Sequence, residues 1–284
     1  MHSTAMRTRS ISMPTIDEQN RAYWDELCGS NLAAVLGIGD ASPASLAKYD
    51  ESFFYYEPWF FDHVPLAQFD GKDVLEVGLG YGSLAQKIAA SGARFTGLDI
   101  AQGPVEMVRH RLRQAALPGR AAAGSILAAP FPDQSFDYVV SIGCLHHTGD
   151  LKKAIDECWR LLRPHGALVF MVYYAYSYLR WFNARKQTLK YLRAEMLGYR
   201  GVVPGDDAAE RRDYDFDSKG DVAPYTDFIS VRSMRHLLRR FSSVHWKRQN
   251  IAQHGPFKKR TREELLKTRW PEICGLEIWG IARK

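Results

Sequence analysis

The sequence predicts an α/β fold with a parallel sheet at its centre, and three observations carry the prediction. Val74-Leu75-Glu76-Val77 is a short apolar run with the β-branched content of a strand buried on both faces, interrupted by one carboxylate. Gly78, Gly80 and Gly82 follow at once, alternating with Leu79 and Tyr81, and residues 83–90 then place Leu84, Ile88 and Ala89 at helical spacing. A second apolar segment, residues 93–98, ends on Asp99. Strand, glycine turn, helix, strand and acid in that order form half of a nucleotide-binding βαβ unit. Glycines admit left-handed backbone and the close approach of a ligand, and the helix N-terminus offers free N–H groups. An acid ending the second strand can accept two hydrogen bonds from a ribose diol.

The neighbours of the loop decide between ligands. A dinucleotide fingerprint wants Gly or Ala three residues after the second glycine, where this chain has Ser83, and it has no use for Glu76 two residues before the first. A carboxylate beside the loop repels a pyrophosphate and suits a ligand carrying an ammonium group. Glu76-Val77-Gly78-Leu79-Gly80-Tyr81-Gly82 resembles the first motif, acid-x-GxGxG, of the class I (Rossmann-like) S-adenosylmethionine-dependent methyltransferases. The resemblance implies S-adenosylmethionine as methyl donor and S-adenosylhomocysteine as product. It also implies a seven-stranded, mostly parallel sheet in the order 3-2-1-4-5-7-6, with strand 7 antiparallel. It covers residues 49–177 well and 230–284 in outline.

Before the loop, residues 17–27 read as a helix with Thr15 as its cap, and residues 49–61 are strongly aromatic. Members of this family commonly close the cofactor cleft with N-terminal helices. Tyr49 and Tyr56 are therefore expected beside the cofactor, where a ring stabilises a sulfonium by cation–π attraction. Beyond Asp99, residues 105–115 read as a helix with an exposed basic face of Arg109, Arg111 and Arg113. Residues 129–137 resemble the family's second signature. Ser125 holds the place where relatives often carry an Asp for the adenine amino group, and Ile100 and Ile126 are expected to flank the adenine.

Residues 138–142 read as the next buried strand, ending in Gly143-Cys144-Leu145-His146-His147-Thr148. Ligands in open α/β sheets sit outside the carboxyl ends of strands, so this tip, Gly143 included, is expected to face the transferring methyl group. His146 and His147 are the candidate general bases, and Cys144 reads as cleft packing. Residues 154–162 form an amphipathic helix. In the turn that follows, His165 replaces a family glycine, which calls for an unusual backbone there. Residues 167–172 are the fifth strand, and 243–249 with 277–282 form a closing antiparallel hairpin.

The expected organisation is a disordered tail at 1–14, a helical and aromatic lid at 15–70, a core at 71–177 plus 230–284, and a largely helical cap at 178–229. The cap would cover the acceptor, with Tyr173, Tyr176, Arg180 and Tyr225 as its contacts and Tyr173, Tyr174 or Tyr176 as reserve bases.

The formal net charge of the 284 residues is +6, and it is local, since residues 230–284 hold 14 basic and 4 acidic side chains. Cys28, Cys144, Cys158 and Cys274 are scattered, which points to reduced thiols, a cytoplasmic protein and no metal site. No apolar run is long enough for a membrane span. The resemblance implies a methyltransferase that works by in-line substitution on an O, N or C nucleophile of a small molecule, a secondary metabolite or a phosphorylated or isoprenoid acceptor. RNA methylation and non-catalytic binding of S-adenosylmethionine are the competing readings, nucleic acid being disfavoured by the lack of an RNA-binding module. A homodimer is left open.

Overall fold

Alternation along the first strand sets the architecture. In β1 (Asp73–Val77), Leu75 and Val77 point into one apolar cluster and Val74 into another, as the period of two requires, so both faces of the sheet must be covered. The same division holds in β5 (Leu162–Tyr173), where Leu168, Phe170 and Val172 face one side and Ala167 and Val169 the other. Helices Leu151–Leu161 and Val231–Leu237 cover the first face. Helices Ser83–Ala90 and Gln102–Gln114 cover the second, together with Trp59, Phe60 and Phe69 from the N-terminal region. This computed structural model describes residues 14–27, 30–205 and 207–284. The expected tail at 1–14 lies outside the described residues except for Pro14, as does Cys28.

The remaining strands are β2 (Arg94–Asp99), β3 (Arg120–Ala123), β4 (Phe136–Ile142), β6 (Val203–Pro204), β7 (Asp227–Phe228), β8 (Ser243–Gln249) and β9 (Glu277–Arg283). Of the nine strands among the described residues, seven form one sheet, β3-β2-β1-β4-β5-β9-β8. Pairing is parallel from β3 to β5 and antiparallel on both sides of β9. Counted within that sheet, the order is the 3-2-1-4-5-7-6 that the resemblance implies. His165 takes φ +66, the left-handed conformation expected of a residue standing where relatives carry glycine.

The basic face expected of 105–115 is not wholly a surface. Arg111 is 1% exposed and grips Asp50 with two nitrogens at 2.8 and 3.0 Å, and Gln86 at 3.0 Å. Asp50 lies on helix Pro43–Tyr56 and also accepts the Ser83 hydroxyl at 2.5 Å. One buried guanidinium thus fastens the aromatic N-terminal helix over the start of the glycine-loop helix. Replacing either partner would leave the other without its counter-charge.

The insert leaves the sheet after β5 and returns where Ile229 bridges Tyr174. Its first half is helical, Tyr178–Asn183 and Arg185–Met196, as the periodicity implied. Its second half holds one short helix, Ala208–Arg212, and the two-stranded β6–β7 ladder. Gly198, Gly201, Pro204, Gly205 and Gly220 interrupt any longer helix there, so the insert is less helical than expected.

Candidate active site

The carboxyl ends of β1, β2 and β4 meet at one cavity of about 270 Å³. Its floor is the glycine loop. Gly78 and Gly80 have φ of +82 and +48, and the two positions differ in what surrounds them. A Cβ on Gly78 would lie 2.4 Å from Cβ of Cys144, whereas one on Gly80 would meet nothing within 4 Å. The first glycine therefore lets β1 and the β4 tip approach, and the second keeps space open for a ligand. Gly82, also left-handed, precedes helix Ser83–Ala90 with no side chain capping it, which leaves N–H groups at the helix N-terminus.

Two acids face this cavity in different states of satisfaction. Asp99 is tied down, taking the amide N–H of Leu79 at 2.7 Å and of Ala101 at 2.9 Å. Burial pushes its carboxyl up to about 6, with those backbone N–H groups pulling the other way. Glu76 is 3% exposed, and its Oε2 has no hydrogen-bond partner. Burial first, then the Asp99 charge, raise it well above the usual carboxylate range. A buried carboxylate oxygen without a donor is costly unless a ligand supplies one, and an ammonium group would. Ile100, Ser125, Ile126, Gly143 and Tyr49 also line the cavity. The Ser125 hydroxyl accepts the Leu127 N–H at 3.3 Å.

Not every expected residue reaches it. Tyr56 is 51% exposed and stands outside the lining, its carbonyl held by the Arg262 guanidinium. It follows Tyr49 by seven residues at the C-terminal end of its helix, where the chain turns away. Tyr49 is instead joined at the cavity by Tyr81, their rings 4.2 Å apart.

The histidine pair divides. His146 is fully buried, does not line the cavity, and both its ring nitrogens lack partners. Burial, with His147 beside it, holds it neutral, well below the usual histidine range. It packs between His147 and Tyr173, at 4.2 and 4.1 Å between ring centres. His147 does line the cavity, but its Nδ1 lies 2.8 Å from the Tyr225 carbonyl and its Nε2 lies 3.5 Å from Asp215. Nδ1 is held by the insert, while Nε2 has no hydrogen-bond partner and faces Asp215 of the insert. His146 stands behind the lining, so neither ring presents a nitrogen at the cavity wall in the way the sequence led one to expect.

The four expected acceptor contacts also stand behind the lining. Tyr173 donates to Asp215 at 3.1 Å and Tyr176 to Glu195 at 2.6 Å. The Tyr225 hydroxyl donates to Asp227 at 3.1 Å. Arg180, 1% exposed, is ion-paired with Glu210 and lies 4.0 Å over the Phe228 ring. These side chains hold the insert together. A buried cation needs a paired anion, and that demand draws Arg180 inward rather than to a ligand.

The residues that do line the remaining wall come from further forward. Asp17, Asn20 and Trp24, on one face of helix Ile16–Leu27, join Phe53, Phe60, Cys144 and Thr148. Asn20 donates to the His147 carbonyl at 2.7 Å while its buried Oδ1 stays unpartnered. Their spacing of three and four residues was the signal available for them.

The sheet order, the glycine cradle and the unpartnered acid define a class. Residues 75–170 match the family of the methyltransferase domain, and this match, the fold and the relatives below support a class I, Rossmann-like S-adenosylmethionine-dependent methyltransferase. It is 29% identical over 181 residues to the demethylmenaquinone methyltransferase of Tropheryma whipplei (strain Twist), spanning 63% of this chain and 70% of that protein. It is 33% identical over 114 residues to the ubiquinone biosynthesis O-methyltransferase of Stutzerimonas stutzeri, covering 39% of this chain but just under half, 47%, of that one. The fold is shared with a putative S-adenosylmethionine-dependent methyltransferase from Listeria monocytogenes, at a TM-score of 0.52 and 14% identity over 78% of this chain and 96% of that one. An S-adenosylmethionine-dependent methyltransferase from Methanosarcina mazei gives 0.51 at 18% identity, over 76% and 93%. Among the described residues no helix is long and apolar enough to cross a membrane, and no cluster of His, Cys, Asp or Glu could hold a metal ion.

Proposed function

We propose that the chain methylates a compact, partly apolar small molecule. The observation that carries this reading is the lining of the cavity beyond the glycine loop, where Trp24, Tyr49, Phe53 and Phe60 surround a few polar groups, among them the unpartnered Oδ1 of Asn20. Such a wall suits a flat or aliphatic ligand with one or two hydrogen-bond donors. Relatives named for demethylmenaquinone and ubiquinone biosynthesis support a ring-bearing acceptor over RNA.

In this reading Glu76 takes the ammonium group of S-adenosylmethionine, Gly80 and the N-terminus of helix Ser83–Ala90 lie against its amino-acid end, and Asp99 takes the ribose diol. Asp99 already accepts two backbone N–H bonds and uses its remaining lone pairs. Ile100 and Ile126 flank the adenine, and Ser125 takes its amino group as a neutral acceptor. The bound cofactor supplies a methyl group on a good, cationic leaving group. The protein's part is alignment and exclusion of water, and the rings of Tyr49 and Tyr81 in the cavity lining would stabilise positive charge on a bound sulfonium. Where the acceptor must lose a proton, Asp17 is better placed than His146 or His147, because it lines the cavity and the histidine nitrogens face elsewhere.

Methyl-labelled S-adenosylmethionine offered with a fractionated cell extract tests this. Label is expected in a small product that partitions into organic solvent. Label in RNA instead would overturn the reading of the acceptor, and Asp17→Asn should slow transfer without loosening S-adenosylhomocysteine.

A further inference from the structure

The solvent face of helix Arg185–Met196 is unlike the rest of the surface. Of the thirteen large apolar side chains that the described residues expose, five fall within 182–199: Phe182, Leu189, Met196, Leu197 and Tyr199. Met196 and Leu197 are 75% and 80% exposed. Leu189 and Met196 lie on this helix, with Phe182, Leu197 and Tyr199 flanking it, and the helix cannot turn to hide its own pair because its other face is locked. Thr188, Tyr191 and Glu195 are buried, with the Tyr191 hydroxyl on the Gly201 carbonyl at 2.8 Å and Glu195 accepting the Ser233 hydroxyl at 2.5 Å. Between the exposed apolar residues stand Arg185, Lys186, Lys190 and Arg193, and the helix's one carboxylate, Glu195, faces inward.

A helix face with alternating apolar and cationic side chains and no acid needs a partner that is negative at its surface and apolar beneath it. A second copy of the same face would set four cations against four, which like-charge repulsion opposes. An anionic bilayer meets both requirements, since lipid phosphates take the Lys and Arg heads and the acyl boundary takes the apolar side chains. The face also continues: Phe182 lies 5.7 Å from His254, which leads to Lys258 and the basic C-terminal region. We propose that the insert docks this helix on an anionic membrane surface. This inference does not depend on the identity of the acceptor.

Sedimentation with vesicles of phosphatidylcholine, alone or mixed with phosphatidylglycerol, is the test. Retention is expected on the mixed vesicles, weakening as salt is raised. It should fall about tenfold or more in the charge variant K186E/K190E/R193E and likewise in the apolar variant L189S/M196S/L197S. Both variants change exposed side chains, and unchanged circular dichroism and S-adenosylhomocysteine binding would show that they fold. No retention on anionic vesicles would overturn the proposal, as would equal retention of both variants. So would a concentration-dependent dimer dissolved by the apolar variant, or RNA retention lost in the charge variant without vesicle binding.

Discussion

Asp215 of the insert holds one carboxylate oxygen 3.5 Å from Nε2 of His147 at the tip of β4, and takes the Tyr173 hydroxyl on the other at 3.1 Å. Because the Tyr225 carbonyl can only accept, Nδ1 of His147 donates to it, and Nε2 faces Asp215 without a hydrogen bond between them. Burial raises the Asp215 carboxyl above the ordinary range, while His147 and Tyr173 pull it back. The bonds from Tyr173 to Asp215 and from His147 to the Tyr225 carbonyl therefore fasten cap to sheet. Asp215→Ala should cost about 1–3 kcal/mol in urea denaturation, the penalty for leaving buried polar groups without partners. S-adenosylhomocysteine affinity should change no more than about threefold, well under the effect of losing a charged hydrogen bond. A much larger loss measured by calorimetry would mean that the clasp and the cofactor cradle are one unit.

Glu76 predicts a pH dependence of cofactor binding. Its folded value is raised, so the free protein retains the proton above the ordinary carboxylate range, and ionising it destabilises the fold as pH rises through that window. An ammonium ligand favours the charged form, so binding should release a proton and strengthen with pH between the ordinary and the raised value. Calorimetry in two buffers of different ionisation heat should detect the release. Glu76→Gln should abolish it and weaken S-adenosylhomocysteine about tenfold to a hundredfold, the worth of a charged hydrogen bond.

The two glycines of the loop should fail differently. Gly78→Ala drives a Cβ into Cys144, so a loss of stability above about 2 kcal/mol is expected, with binding lost as a consequence. Gly80→Ala strains a left-handed residue by about 1–2 kcal/mol but collides with nothing, and its methyl enters the cavity. Its melting temperature should drop only a few degrees, about what that strain implies, while cofactor binding falls sharply. Equal effects of the two substitutions would count against the division of roles.

His146 should shape the acid limb of stability. Its folded value is depressed, so the neutral ring's contribution is fully present above the ordinary histidine value of about 6.5. That contribution is lost as pH falls below it, when the unfolded chain takes up a proton that the fold refuses, at up to about 1.4 kcal/mol per pH unit. His146→Phe, which keeps a ring against Tyr173, should flatten the slope measured by urea denaturation between pH 7 and pH 5, a range set around that ordinary value.

The glycine cradle, with Glu76 before it and Asp99 on the next strand, could be read in the sequence because its chemistry is carried by neighbours in the chain. The order of the sheet was legible for the same reason, through buried strands marked by continuous apolar runs. Even so, β3, only Arg120–Ala123 and rich in alanine, left no strand signal of its own. What local pattern could not show was which charges turn inward. Arg111 looks like a surface cation and Arg180 like an acceptor contact, and only the approach of Asp50 and Glu210 from distant segments makes their burial affordable. The histidines were a similar case. Adjacent residues at a strand tip share an address in sequence, yet the insert takes Nδ1 of His147 and the core encloses His146, because the neighbours that decide this lie at Tyr225 and Tyr173. Sequence by itself determined the ligand cradle, where the interactions are local. Tertiary structure decided the opposite wall of the cavity, because there a side chain such as Asn20 is directed by a partner 127 residues away, the His147 carbonyl.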